Sequence, residues 1–439
     1  MKAINKRFST RIQRLAIYLL IVALAMVGGI TVTETIAWAI KTDLGVYPEP
    51  ALPAMGPRGS KVVDPTFGTT ILRLTDSSDA STRAGTQYST LQAFNKDNTY
   101  VAGYKRSTST RGVIYPFDST NFTAGAGFTL DSPPGLDDYW LVWSGISPNI
   151  TFGTALNSFW QINVATKQAT LIKDLSNQGI PGGSITQMSA SQNDDVLAAS
   201  IVDSGGATVG YLVYKRSTNS VLVRILSNAV DEVKLDKSGR YLVVTNKDRT
   251  GRIHDLNSST PEVTASLSTN DTSLSHHDSG HGTVFNDYYP TKGLAFRQLS
   301  RPNVIQQLIP GYWSYATQDD HFSMQADDEL WALSSRFHIN AGPVSNPFDN
   351  EISQIATDGS NRVRRLVHHR AKVANNDYNA QVKATISRDG RFVAFTSNWG
   401  NVNGRTDIYI AKIQPPNQIP PAGGDTMPPA DPTNVRILP

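Results

Sequence analysis

From residue 64 to residue 413 the apolar positions fall in short runs, each cut off by a polar turn. Seven stretches share one shape: a turn rich in Asp, Asn, Ser or Gly, then a hydrophobic strand. They are "FNKDNTYVAGY" at Phe94, "GISPNITFGTA" at Gly145, "ASQNDDVLAAS" at Ala190, "LDKSGRYLVVT" at Leu235, "DSGHGTVFNDY" at Asp278, "FSMQADDELWALS" at Phe322 and "ISRDGRFVAFTS" at Ile386. Successive starts lie 51, 45, 45, 43, 44 and 64 residues apart. The strands after the turns alternate or run apolar with β-branched and aromatic residues, as buried strands do. Two turns carry Ser-Gly and Asp-Gly, which supply the positive φ of a tight hairpin. A second strand pair follows, as in "FWQINVATKQATLIKDL" (Phe159 to Leu175), "VGYLVYKRSTNSVLVRIL" (Val209 to Leu226) and "NEISQIATDGSNRVRRLV" (Asn350 to Val367).

Four strands in about 44 residues make one propeller blade, and a blade must stack on neighbours to bury both faces. The expected fold is therefore all-β: a seven-bladed β-propeller with four antiparallel strands per blade. After the seventh hairpin one further strand is evident, "TDIYIAKI" (Thr406 to Ile413). Before the first hairpin there is a surplus strand, "TTILRLTD" (Thr69 to Asp76). An N-terminal strand that completes the last blade closes the ring and removes an exposed edge.

Composition refines the reading at the two ends. Net charge is +3, and Lys2, Lys6, Arg7, Arg11 and Arg14 place the positives at the start. The rest is near neutral, so charge gives no nucleic-acid footprint. The basic segment precedes an apolar core, Leu15 to Val32, and Ala37-Trp38-Ala39 supplies the small residues of a cleavage site. Residues 1–39 therefore read as a signal peptide. The alternative is an uncleaved anchor, in which case this segment is the membrane contact. Either way the body is expected to be exported: periplasmic, at the cell surface or extracellular. The absence of cysteine excludes disulfide and thiolate chemistry. Residues 40–63 read as an N-terminal extension, 64–414 as the propeller, and 415–439 as an extended Pro-rich tail. Within the tail, "DTMPPADPTNVRIL" is similar to the lead-in before fibronectin type III modules of exported bacterial proteins.

The repeat texture, above all "EISQIATDGSNRVRRL" and "ISRDGRFVAFTSNWG", resembles the exported, WD40-like propellers of the Tol-complex type. It also resembles their relative oligogalacturonate lyase. That resemblance implies β-elimination on galacturonate oligomers, with a divalent metal as cofactor. It further implies that several histidines and a glutamine hold the metal near the ring axis. Gln381 in "AQVKATISRDG" matches the glutamine. Lys383, Ala384 and Thr385 stand where the resemblance leads one to expect imidazole.

The candidate chemistry centres on "SLSHHDSGHG", which holds three of the eight histidines. Side chains alternate faces on a strand. The entering strand of blade five would then put His276 with Asp278, and His277 with Ser279 and His281. The stretch "QDDHFSM" stands at the same place in blade six. His276, His277, Asp278, Asp320, His321 and Gln381 are thus expected around one mouth of the central channel. As metal ligands the set is His276, Asp278, His321 and Gln381. As catalytic bases it is His276, His277 and His321. The competing reading is a hydrogen-bonded ring that ties blade to blade. Four residues are candidates for ligand contact. Trp143 belongs to the aromatic cluster Tyr139, Trp140 and Trp143 beside Asp137 and Asp138. Trp399 lies on a loop and is expected to be exposed. Arg364 and Arg365 sit with His368, His369 and Arg370 on what reads as a solvated basic edge or an anion patch. No G-x-S-x-G, P-loop, H-E-x-x-H or C-x-x-C motif is present.

Three functions fit. The first is a binding scaffold that recognises carbohydrate or an envelope protein through its channel-mouth loops. The second is a lyase-like enzyme cleaving uronate-containing polysaccharide. The third is a structural part of an envelope or extracellular assembly.

Overall fold

A computed structural model describes residues 40–416, apart from 81, 181–182, 260–262, 268–273, 275 and 312–317. Residues 1–39 and those from 417 onward lie outside the described residues, and with them the expected signal peptide and most of the Pro-rich segment. Among the described residues no helix is long and apolar enough to cross a membrane.

The described strands form seven antiparallel sheets in chain order. Blade one runs from Arg83–Gly85 to Thr123–Ala124, blade two from Val142–Trp143 to Gln168–Asp174, and blade three from Ser184–Ala190 to Ser220–Leu226. Blade four runs from Val230–Leu235 to Val263–Leu267, blade five from His277–Ser279 to Gln306–Leu308, and blade six from Gln318–Ser323 to Val363–His368. Blade seven takes Thr385–Ile386, Phe392–Ser397 and Asp407–Lys412 from the C-terminal end. Its fourth strand is Thr70–Arg73, which pairs Thr70 with Lys412 and Arg73 with Tyr409. The ring is thus closed as the sequence predicts. Lys61–Val63, read as part of the extension, adds a fifth strand outside Thr70–Arg73.

Packing explains the apolar runs. Among the described residues seven hydrophobic clusters are found, each between two neighbouring blades. Strand Val196–Val202 shows how one run serves two interfaces: Leu197, Ala199 and Ile201 face blade two, while Val196 and Ala198 face blade four. Both faces are dry, so polar alternation disappears.

The hairpin turns also join blades. Gly239 and Gly390 take φ of +72° and +69°, the left-handed region the turns require. Asp236, in the same turn as Gly239, accepts from Tyr241 N at 2.7 Å and from Gly282 N of the next blade at 2.8 Å. Asp194 likewise accepts from Gly145 N at 2.8 Å, and Asn98 donates to Asp389 at 2.7 Å. Each carboxylate ties its turn to the neighbouring blade, Asp236 and Asp194 through backbone N–H groups and Asp389 through the Asn98 side chain.

Candidate functional site

The inner strands of blades five and six carry the chemistry to the axis. His276 immediately precedes strand His277–Ser279, and Asp319, Asp320 and His321 lie on strand Gln318–Ser323. The His276 Nδ1 lies 3.0 Å from an Asp319 oxygen, and the His276 and His321 rings are 4.8 Å apart. His321 Nε2 donates to the side-chain oxygen of Gln381 at 3.0 Å, and Gln381 donates in turn to Asn376 at 2.9 Å. Tyr88 stands edge-on to His321, with ring centroids 5.2 Å apart. His276, His321 and Gln381 therefore converge, as expected from the repeat register.

Electrostatics divide these groups. Burial opposes the charged form of His276, but the bond to Asp319 and the fields of Asp319, Asp320 and Glu232 outweigh it and raise its pKa. The same bond holds Asp319 low despite its burial. Burial, reinforced by the positive fields of His276 and Lys383, keeps His321 well below the usual histidine range. His321 is therefore a neutral imidazole with its proton on Nε2, and its buried Nδ1 makes no hydrogen bond. Burial also raises Asp320, against the pull of Arg336 and a hydrogen bond with Asp287.

One ligand atom each from His276, Asp287 and Asp320 can be chosen so that all lie within 4.8 Å of one another. Two carboxylates and an imidazole at that spacing fit a divalent ion bound at about 2.0–2.4 Å. These residues, with His321 and Gln381 behind His276, could hold a metal.

Asp278 is not part of this group. The regular strand begins at His277, so the alternation expected to unite His276 with Asp278 does not extend to His276. Asp278 instead accepts from Met324 N at 2.6 Å and from Gln325 at 3.0 Å, tying blade five to blade six. Burial pushes its pKa to about 6. His277 is buried within the strand and offers no face to the cavity.

The remaining candidates also differ from expectation. Arg364 and Arg365 are buried rather than solvated. Arg365 makes a two-pronged pair with Glu351 at 2.5 and 2.6 Å, and its third nitrogen donates to Gly45 O at 2.9 Å. Arg364 donates to Gln354 and to the Gln414 carbonyl. His368 and Arg370 reach the Tyr47 and Pro50 carbonyls at 3.0 Å each. Residues 41–53 thus cover this edge as a strap. Trp399, expected to be exposed, is half-buried. It stacks on Tyr409 at 4.8 Å and donates to Pro53 O at 2.9 Å. Trp143 is buried, stacks on Tyr100, and donates to Ala93 O at 3.0 Å.

Above the cluster opens a cavity of about 550 Å³ at one mouth of the channel. Tyr88, Trp140, Glu232, His276, Asp319 and Tyr378 line it, with Lys247 and Arg249 on the rim. Sequence reading missed Asp287, Asp319, Glu232, Tyr88 and Tyr378. Asp319 adjoins two singled-out residues in "QDDHFSM" and was within reach. Tyr88 sits on a loop that interrupts the inner strand of blade one, and no repeat register points to it. Lys383 is buried under Tyr378, with its nitrogen 3.5 Å from the ring centroid and bonded to the Tyr378 carbonyl. Burial lowers its pKa to about 7.

No protein-family model matches the chain, and no curated protein matches it by sequence. Among solved structures it is similar to oligogalacturonate lyase from Vibrio parahaemolyticus. The TM-score is 0.58 and identity 11%, over 81% of this chain and 96% of that one. It is also similar to an oligogalacturonate lyase in complex with manganese, with TM-score 0.57 and 11% identity over 82% and 99% of the two chains. At such identity the likeness establishes the propeller fold.

Proposed function

We propose that the channel-mouth cavity binds an acidic, uronate-containing oligosaccharide through a divalent cation held by His276, Asp287 and Asp320. The observation that supports this reading most is the acidic floor. Asp287, Asp319, Asp320 and Glu232 lie beneath a cavity walled by Tyr88, Trp140 and Tyr378. Lys234 beside Glu232 at 3.1 Å, His276 beside Asp319 at 3.0 Å and Arg336 near Asp320 at 3.8 Å offset part of this charge, and a bound cation would offset the rest where a sugar carboxylate enters. When bound, the ion would neutralise the floor and polarise a uronate carboxylate. The chain's own groups then divide the work. Asp319 orients the His276 ring through Nδ1, the aromatic walls accept the apolar faces of sugar rings, and Lys247 and Arg249 attract the anion.

A lyase is the second reading, favoured by the fold likeness to oligogalacturonate lyase; the imidazole that lines the cavity is His276, with His321 buried behind it. In β-elimination a base takes the proton next to the uronate carboxylate. The carbon–oxygen bond to the leaving sugar breaks, a double bond forms, and the leaving oxygen is protonated by water.

The test is calorimetry of the chelator-treated chain with digalacturonate, with and without added manganese. Binding should require the metal and fall at least about tenfold in His276→Ala and in Asp320→Asn. Metal-independent binding would overturn the reading. Ultraviolet absorbance of an unsaturated product in the same mixtures would identify the chain as a lyase, and a flat trace as a binding protein.

A further inference from the structure

The mouth cavity does not end at the axis. Trp140 and Tyr378 also line a second groove of about 650 Å³ that runs outward over blades one and two. Its other walls include Tyr104, Arg111, Asp137 and Tyr139. Burial and the neighbouring Tyr378 side chain raise the Tyr139 pKa where the two spaces meet. Tyr139 lies 5.3 Å from the Tyr104 ring and 5.2 Å from Trp140, so the platform is braced from both sides. The short turn Asp138–Trp140 that carries it rests directly on blade one. A Cβ added to Gly112 would come within 1.8 Å of the Asp138 carbonyl oxygen, so only glycine permits the approach.

The charges of this groove differ from those of the mouth. Arg111 already donates to Asp138 at 2.7 Å and to Asp131 at 2.9 Å. Asp137 accepts from the Thr186 hydroxyl and adds further acidic character. The groove therefore offers apolar ring faces and neutral or acidic hydrogen-bonding groups, but no uncommitted guanidinium for a carboxylate. A uronate placed here would meet Asp137 and lose hydration without compensation. An uncharged sugar would lose little hydration and would stack on Tyr139.

We propose that this groove is an outer subsite for an uncharged sugar unit, so that the preferred ligand joins a uronate at the mouth to neutral residues beyond it. The proposal rests on the mouth reading for the position of the uronate. Four probes separate the two claims: digalacturonate, tetragalacturonate as the free acid, a partly methyl-esterified tetramer that keeps one free acid, and the fully esterified tetramer. Calorimetry on the full chain with manganese should find the ester tetramer binding about five- to tenfold tighter than the dimer, the range expected of one aromatic contact. The acid tetramer should bind no tighter than the dimer. Tyr139→Ala should return the ester tetramer to the affinity the same variant shows for the dimer, a loss larger than any it causes for the dimer itself. The isosteric Asp137→Asn should narrow the gap between acid and ester. Equal binding of acid and ester tetramers, or equal weakening of dimer and ester tetramer by Tyr139→Ala, would overturn the outer subsite. If the dimer does not bind, the mouth reading fails. The fully esterified tetramer then decides alone: binding that Tyr139→Ala removes sustains the groove, and no binding ends it.

Discussion

Lys383 is the clearest single-residue consequence of this interior. Its ordinary pKa of 10.5 falls to about 7 because the ammonium is buried. Between those values the unfolded chain holds a proton that the folded chain lacks, so stability rises with pH across that window. Lys383→Met should therefore stabilise the protein below pH 7, by up to about 5 kcal/mol. The advantage should shrink as pH climbs toward 10. Denaturant midpoints of wild type and variant at pH 6 and pH 9 check it, and a pH-independent difference would contradict it. Arg365 behaves in the opposite way. Its pair with Glu351 is fully buried, so Arg365→Met leaves a carboxylate stranded and should cost about 3–5 kcal/mol. Arg240→Ala, at the exposed Arg240–Asp255 pair, should leave the midpoint essentially unchanged by the same measurement, because solvent screens the pair. Both arginines look like surface cations in the sequence. What separates them is the strap at residues 41–53, whose carbonyls take up the donors of Arg365, His368 and Arg370. No local pattern reveals that a distant segment will lie there. The convergence of His276, His321 and Gln381 was legible because repeat register places residues around an axis. The place of Asp278 was not, because His276 lies just before the strand, where alternation no longer applies.

At the level of the blade, the turn is the working unit. The sequence marks it through Gly239 and Gly390, whose positive φ matches the hairpins expected there. The carboxylate beside the glycine has a second task that the turn signature hides. Asp236 is buried and accepts from Tyr241 N, from Gly282 N of blade five, and from the Ser238 hydroxyl at 2.5 Å. Asp236→Ala strands those donors and should cost about 2–4 kcal/mol. Asp236→Asn can keep one acceptor and should cost less. Hydrogen exchange should show the loss first at the blade four–blade five boundary, and protection lost evenly around the ring would argue against a local stitch. Blade one departs from the pattern for a related reason. Its inner strand, Arg83–Gly85, breaks before the Phe94 bridge, and the intervening loop brings Tyr88 beside His321. An interrupted strand has no periodicity to detect, and it delivers part of the candidate site.

The whole ring depends on one pairing between chain ends. Thr70–Arg73 lies against Tyr409–Lys412, and Leu72 and Leu74 reach into the cluster shared with blade one. Without that strand blade seven has an open edge, and both of its interfaces lose apolar cover. Seven cores arranged in a circle have no terminal member, so a defect at the seam is felt by every blade. The pairing also fixes where the chain could be recut. Thr70 stands opposite Lys412 in an antiparallel ladder, so a two-residue Asn-Gly turn can join Ile413 to Thr69. A permuted chain would begin at Thr82, run to Ile413, and continue through that turn into Thr69–Asp76. It should fold to a closed ring with native near-ultraviolet dichroism. Its midpoint should be lower, because the strap is gone and Arg365, His368 and Arg370 lose their carbonyl partners. The same chain stopped at Ile413 should lose cooperative unfolding altogether. If the stopped chain unfolds as sharply as the permuted one, closure by this strand is not what holds the propeller together. The shared axis that brings blades five, six and seven to one mouth would then need another cause.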